Sequence, residues 1–165
     1  MNGIDVGRQR EAARVAPAQA YITASTEWLG GTQTRTMTNA AQRTPAREFA
    51  IHTDYPEPLL GSGTAPSPDE LFVAALGSSF LTSFVLAAAA ADTRIEFMRV
   101  VATRATVDSP DDRGERRPDD LEIRGDVDAD ASPDQLEQLV AIAIQRSSIV
   151  ACCRLDVRVV LGRVD

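Results

Sequence analysis

Lysine is absent from this chain, and all 17 basic residues are arginine. Its absence excludes Schiff-base chemistry and any lysine nucleophile. Histidine is nearly as scarce, because His52 is the single copy. One chain therefore cannot build a multi-histidine metal site. From these two absences we expect neither a metal nor a cofactor.

Cysteine is confined to the adjacent pair Cys152 and Cys153, which gives no framework of secreted disulfides. A net charge of −7 argues against nucleic acid as a partner, because phosphate binding needs a concentrated basic surface. Residues 1–20 contain no apolar core of the signal-peptide type. These absences favour a cytoplasmic protein, and the missing lysine and abundant alanine are typical of a GC-rich bacterial genome.

The length of 165 residues and a hydrophobic content of 44% suffice for one domain with a real core. Residues 1–17 contain scattered charges at Arg8, Arg10, Glu11 and Arg14 and predict a mobile polar N-terminal arm. Residues 18–165 contain no linker that would divide them, so we expect a single domain there.

One run of 21 residues, 71–91, carries no charge and is long enough to span a bilayer. Its flanks are acidic (Asp69, Glu70 and Asp92), and no basic cluster is present to orient insertion. Glycine, serine and threonine also dilute the run. The pattern therefore predicts a helix buried in a protein core or a subunit interface, and no membrane partner.

The remaining patterns predict mostly strands. Threonine-rich runs on either side of Gly30 and Gly31 predict a hairpin, and residues 47–53 alternate as a half-buried strand does. Serine, proline and an acidic or amide residue open helices at 67–70 and again at 132–135. The predicted order is β-β-β-α-β-β-α-β, an α+β fold dominated by antiparallel hairpins.

Residues 61–79 read GSGTAPSPDELFVAALGSS. This segment resembles the OsmC/Ohr family, which has a glycine-rich loop, Asn/Ser-Pro-Glu-Glu-Leu, a small apolar stretch and a cysteine. Residues 27–31 followed by Arg35 resemble the family's first hairpin. Residues 146–150 stand where relatives carry Cys-Pro-Val-Ser or Ser-Pro-Val. The resemblance covers about residues 21–161, and it implies an intertwined homodimer with antiparallel sheets around two long central helices and a pocket between the protomers.

The chain departs from the family at both redox positions. Family peroxidases attack an organic hydroperoxide with a thiolate and then close a disulfide to a second cysteine. The motif comparison places Ser79 at the first position and Ser148 at the second. A hydroxyl is a far weaker nucleophile toward a peroxide oxygen and forms no sulfenic acid, so the two-cysteine peroxidase mechanism is not expected.

Several residues are candidates for chemistry that remains. Ser79 is either an acyl-transfer serine or a small residue that permits close helix packing. The resemblance implies that Asp69 orients a catalytic arginine, for which Arg35 is the candidate; Arg35 would hold a carboxylate or another oxyanion, or lie exposed on its strand. Glu70 is a helix cap or a substrate contact. His52 is either a surface residue or, less favoured, a catalytic base.

Ser148, Glu70, Phe80 and Trp28 are the predicted contacts for a small, partly apolar organic molecule, although the two aromatic rings fit core packing equally well. Cys152 and Cys153 are either relocated redox thiols or small buried residues. The sequence thus predicts a homodimer that binds a small organic molecule and does no redox chemistry. The alternatives are a residual organic hydroperoxide reductase that uses Cys152 or Cys153, and a non-catalytic structural or sensing dimer.

Overall fold

The structure is a computed structural model, and it describes residues 21–41, 48–105, 120–153 and 157–163. They form two compact units, one ending at Phe72 and the other starting at Val73. The predicted N-terminal arm, residues 1–17, lies outside the described residues. The prediction of one domain over residues 18–165 stays a prediction.

The first unit is built on an antiparallel sheet of three strands in the order β1-β2-β3, namely β1 (Tyr21–Gly30), β2 (Gln33–Ala41) and β3 (Glu48–Thr53). The chain reverses between β1 and β2 at Gly30 and Gly31, whose φ angles are 120° and 55°. These positive angles are strained for residues with a side chain, which explains why glycine occupies the turn. The predicted hairpin is confirmed.

The two faces of this sheet differ in chemistry, because residues paired across antiparallel strands share a face. One face, called the threonine face here, carries Ala24, Thr26, Trp28, Thr34, Thr36, Thr38, Phe49, Ile51 and Thr53. Four of its hydroxyls pair with one another, at 2.9 Å between Thr26 and Thr36 and 2.7 Å between Thr34 and Thr53. Trp28 and Phe49 are 73% and 61% exposed. The half-burial predicted for β3 is therefore observed at Ile51 and Thr53 but not at Phe49.

A loop over residues 54–67, containing a short 3-10 helix (Glu57–Leu59), leads from β3 into the long helix α1 (Pro68–Ala90). The predicted capping box is present at its start. The Glu70 carboxylate accepts from the Ser67 backbone N–H at 2.6 Å, and the Ser67 hydroxyl accepts from the Glu70 N–H at 3.2 Å. These bonds satisfy backbone groups that a helix start otherwise leaves unpaired.

The second unit contains a sheet in the order β4-β5-β6, formed by β4 (Ile95–Ala105), β5 (Asp120–Ala129) and β6 (Val157–Arg163). β4 and β5 are antiparallel, whereas β6 runs parallel to β5. A parallel pair needs a crossover connection. Helices α2 (Pro133–Arg146) and α3 (Ser148–Cys153) supply it. The predicted element order and α+β class are confirmed, with the 3-10 helix and α3 as additions.

The buried apolar side chains of the second unit come from one side of α1, from β5 and from α2. Phe80 and Phe84 are fully buried, with ring centroids 6.3 Å apart. Gly77 permits close approach to the sheet, since a Cβ there would lie 3.3 Å from the Ala102 Cβ. The other large buried members are Leu76, Leu121, Ile123, Val127, Leu136 and Leu139.

By length and composition alone, helix α1 is long and apolar enough to cross a membrane. The core helix of a soluble protein can meet the same criterion. Within this chain, 39% of its most apolar window is buried. The uncovered part is equally uncharged: Ala74, Ala75, Ser78 and Thr82 are exposed, and Leu71, Phe72, Val73, Leu81, Val85 and Leu86 are half-buried. The described chain therefore covers only part of a helix whose composition calls for burial on nearly all sides.

Candidate functional site

Two serines meet in the second unit. The side-chain oxygens of Ser79, in the middle of α1, and Ser147, between α2 and α3, lie 2.9 Å apart. Ser147 is completely buried and Ser79 is half-buried. The pair, called the serine dyad below, therefore joins the uncharged helix to the junction of the two following helices.

Local backbone geometry fixes the position of Ser147. Its N–H donates to the Ala143 carbonyl at the end of α2, and its carbonyl accepts from Ala151 in α3, each at 2.9 Å. Its hydroxyl accepts from the Val150 N–H at 3.4 Å, so Ser147 also caps α3. The side chain that starts α3 is the same one that meets Ser79.

The residue that meets Ser79 lies one position before the residue that the motif comparison assigned. The motif comparison assigned Ser148 to the second redox position, and Ser148 is exposed at the first position of α3. The residue that faces Ser79 is Ser147. The reason is that the residue before a helix turns its side chain back toward the first N–H groups, and here that direction leads into the protein.

The dyad can do limited chemistry by itself. Two hydroxyls carry two hydrogens, and one of these is used in the bond between them. The other is available as a donor to a hydrogen-bond acceptor. The sequence predicted Ser79 as a site residue but not Ser147. The signal that could have identified Ser147 is its position directly after α2 and before a second short helical run.

A second polar centre, Asp54, was also missed. It lies directly after β3, and the residue is 1% exposed. Five donors within 3.2 Å surround it, namely the Thr32 hydroxyl at 2.6 Å, the N–H groups of Tyr55, Ser62 and Thr64, and the Thr64 hydroxyl. These bonds, led by that from Thr32, hold the pKa of Asp54 far below its usual range, although burial opposes the shift. The network ties the β1–β2 turn to the loop before α1.

Glycine is required where this loop folds back on itself. A Cβ at Gly61 would lie 1.6 Å from the Tyr55 carbonyl oxygen, which no side chain can do. The Gly63 N–H donates to that same oxygen at 3.0 Å. Leu60, which directly precedes Gly61, has a φ of 65° and is 90% exposed. Its apolar side chain therefore lies at the tip of a loop that backbone hydrogen bonds hold in place.

The acidic pair at the start of α1 has divided roles. The Glu70 carboxylate is engaged by both the N–H and the hydroxyl of Ser67, and these bonds lower its pKa. This geometry supports the capping interpretation of Glu70. Asp69 is exposed in the same turn. Its role toward Arg35 stays a prediction.

Arg35 and Trp28 lie on opposite faces of the first sheet. The Arg35 guanidinium donates to the Glu27 carboxylate across the hairpin at 2.6 Å, on the face that also carries the exposed His52. The Trp28 indole N–H donates to the Gly31 carbonyl at 3.0 Å, while most of the ring is exposed. Arg35 is therefore a strand residue with an acidic partner in its own hairpin.

The other candidates divide between core and surface. Phe80 is fully buried against Phe84, as the core interpretation predicts. Cys152 is a free, exposed thiol in α3, and the Cys153 side chain lies outside the described residues. Within the described ranges, no group of three or more histidine, cysteine, aspartate or glutamate residues could hold a metal ion.

Residues 61–161 match the family model described as OsmC-like protein. No curated protein sequence matches this chain. Among solved structures, a putative osmotic stress induced and detoxification response protein from Psychrobacter arcticus is similar at a TM-score of 0.64 and 18% identity, covering 92% of this chain and 99% of that one.

Two further solved structures are similar in fold. One is an organic hydroperoxide resistance protein OsmC, a predicted redox protein from Legionella pneumophila, with a TM-score of 0.59, 18% identity and coverage of 92% and 100% of the two chains. The other is the organic hydroperoxide resistance protein OhrB of Bacillus subtilis, with a TM-score of 0.57, 16% identity and coverage of 89% and 98%. At these identities the likeness establishes the fold.

The Asp54 network predicts a distinctive pH dependence. Because the pKa of Asp54 is lowered on folding, its stabilisation is fully present above the unfolded pKa of about 4 and is lost as pH falls through the folded pKa. We expect Asp54→Asn to be less stable than wild type at neutral pH, with a gap that narrows in acid. Urea denaturation of both proteins across this pH range measures the difference in their free energies of unfolding. Glu57→Gln, an exposed carboxylate of the same loop, is the control and should behave as wild type; an equal loss in both variants would contradict the role of the network.

The geometry of the dyad predicts a specific cross-link. In a Cys152→Ser, Cys153→Ser background, Ser79→Cys with Ser147→Cys should form a disulfide on mild oxidation, since the two oxygens already lie 2.9 Å apart. Ser79→Cys with Ser148→Cys is the matched control and should keep two free thiols. Intact mass and thiol titration distinguish the outcomes. A disulfide in the control pair alone would show that the motif comparison, and not the structure, has the right register.

Proposed function

Because the chain belongs to the OsmC-like protein family, matched over residues 61–161, we propose that it is a non-redox member that binds a small, partly apolar organic molecule between two copies of the chain. The observation that carries the proposal is the serine dyad. Its two hydroxyls lie 2.9 Å apart. Ser79 stands at the first redox position implied by the family resemblance, and Ser147 is adjacent to Ser148, the predicted second position.

The dyad argues against peroxide reduction at this site. The Legionella pneumophila and Bacillus subtilis relatives carry hydroperoxide resistance in their names. The thiol mechanism implied by the family resemblance needs an anionic sulfur that forms a sulfenic acid and then a disulfide. Ser79 and Ser147 can do neither. Hydrogen bonding is the chemistry that the pair retains.

The polarity around the dyad indicates the kind of ligand. Ser79 is half-buried on an uncharged helix, and the dyad has one hydroxyl hydrogen to donate. A ligand with a hydroxyl, carbonyl or similar acceptor on an apolar body fits such a surface. In the proposed dimer, Arg35 and Asp69 are the candidates for further polar contacts or acid/base chemistry.

Two uncovered surfaces support the homodimer. One is the exposed side of α1, which carries no charge between Leu71 and Ala90. The other is the threonine face, with Trp28 and Phe49 largely exposed. On that face four threonine hydroxyls are already paired with each other. A second copy can therefore cover the face without leaving these hydroxyls unpaired.

The first test separates this function from residual peroxidase activity. We expect no consumption of cumene hydroperoxide above the protein-free rate in a thiol-coupled assay. The Ser79→Cys, Ser147→Cys variant serves as a positive control and should gain consumption. A wild-type rate that disappears in Cys152→Ser or Cys153→Ser would contradict the proposal and assign the activity to those thiols.

The second test addresses binding, with cumyl alcohol as the probe because it combines one hydroxyl with an apolar body. Ser79→Ala removes the donor and should weaken binding about fivefold, the equivalent of one net hydrogen bond. Ligand-observed NMR titration measures the affinity. Ser78→Ala changes the adjacent exposed serine and should bind as wild type does. Equal affinity in wild type and Ser79→Ala would contradict a role of the dyad in binding.

A further inference from the structure

An apolar groove lies between α2 and β6 in the second unit, with a volume of about 450 Å³. Leu136, Val140 and Ile144 line one wall at successive turns of α2, and Val159 and Leu161 line the other from alternate positions of β6. Glu137 is the one charged lining residue. The groove is therefore aliphatic along its walls and acidic at its rim. The exposed Asp134, in the same helix turn as Glu137, adds a second negative charge to this rim.

Beside the groove, β6 has an open edge. Its registered partner is β5, from Leu121 opposite Val157 to Val127 opposite Arg163. In the part of the chain that the structure describes, no strand pairs with its other edge. An open edge presents unpaired N–H and C=O groups to which another strand can add. A groove and an open edge together are the arrangement that binds an extended peptide, since backbone bonds hold it and alternate side chains enter the groove.

The chain itself contains a segment with the matching pattern. The first 20 residues precede β1 and lie outside the described residues. Within them, residues 3–7 read GIDVG, which places Ile4 and Val6 on one side of an extended strand and Asp5 on the other. Arg8 and Arg10 follow and are opposite in charge to Glu137. Residues 8–20, the 13 residues between this segment and β1, span up to about 45 Å when extended.

We propose that residues 3–7 add to the open edge of β6 as a fourth strand of the β4-β5-β6 sheet, with Ile4 and Val6 in the groove and the following arginines at its acidic rim. The segment comes from the same chain or from a second copy. This site is separate from the serine dyad, and the proposal does not depend on the function proposed above.

Disulfide trapping tests the alternation of side chains. In a Cys152→Ser, Cys153→Ser background, Ile4→Cys with Val140→Cys should cross-link on mild oxidation in high yield. Asp5→Cys with Val140→Cys is the matched control and should cross-link poorly, because Asp5 points away from the groove. A cross-link within one chain or between two chains supports the proposal. Equal yields for the two pairs, or no cross-link in either, would overturn it.

Amide exchange tests strand addition in the chain without engineered cysteines. Deleting residues 2–17 should speed exchange of the β6 amides that face away from β5 by about fivefold, the factor that corresponds to one net hydrogen bond. A peptide of residues 1–15 should restore protection, and the same peptide with Ile4→Asp and Val6→Asp should not. If β6 stays protected after the deletion, another surface covers its edge and the proposal is wrong. If the shortened chain does not fold, the cross-linking yields decide.

Discussion

The structure depends on the burial of one uncharged helix. From Leu71 to Ala90, α1 has no charged side chain, and its described surroundings cover one side of it. Each exposed apolar side chain on the other side costs free energy in water, at about 25 cal/mol per Å² of apolar surface. The capping box at Ser67, the close approach at Gly77 and the paired phenylalanines all place this helix in a defined position. Its uncovered side is the strongest physical reason to expect a second copy.

The same helix determines what chemistry the protein can do. Ser79 reaches the junction of α2 and α3, where Ser147 serves as the cap of α3. A pair of thiols in this place could exchange electrons with a peroxide, whereas a pair of hydroxyls exchanges only hydrogen bonds. In the proposed function, the family scaffold carries a neutral, half-buried hydrogen-bond donor at this place.

The sequence predicted the features that local signals encode. The Gly30–Gly31 turn, the Ser67–Glu70 capping box and the uncharged run of α1 each depend on residues close together in the chain. The features it missed depend on contacts between distant residues. The Asp54 carboxylate accepts hydrogen bonds from Thr32 and Thr64. The start of α3 directs the side chain of Ser147, and not that of Ser148, into the protein. The ion pair between Arg35 and Glu27 depends on the register of the hairpin, which local sequence signals do not specify.

The proposed function requires a second copy of the chain that covers α1 and the threonine face. Sedimentation velocity of the full chain at micromolar concentration measures this directly. We expect a single species with the mass of two chains, whose dissociation on dilution is accompanied by loss of the folded state. A well-folded species with the mass of one chain, 17.7 kDa, would contradict the account.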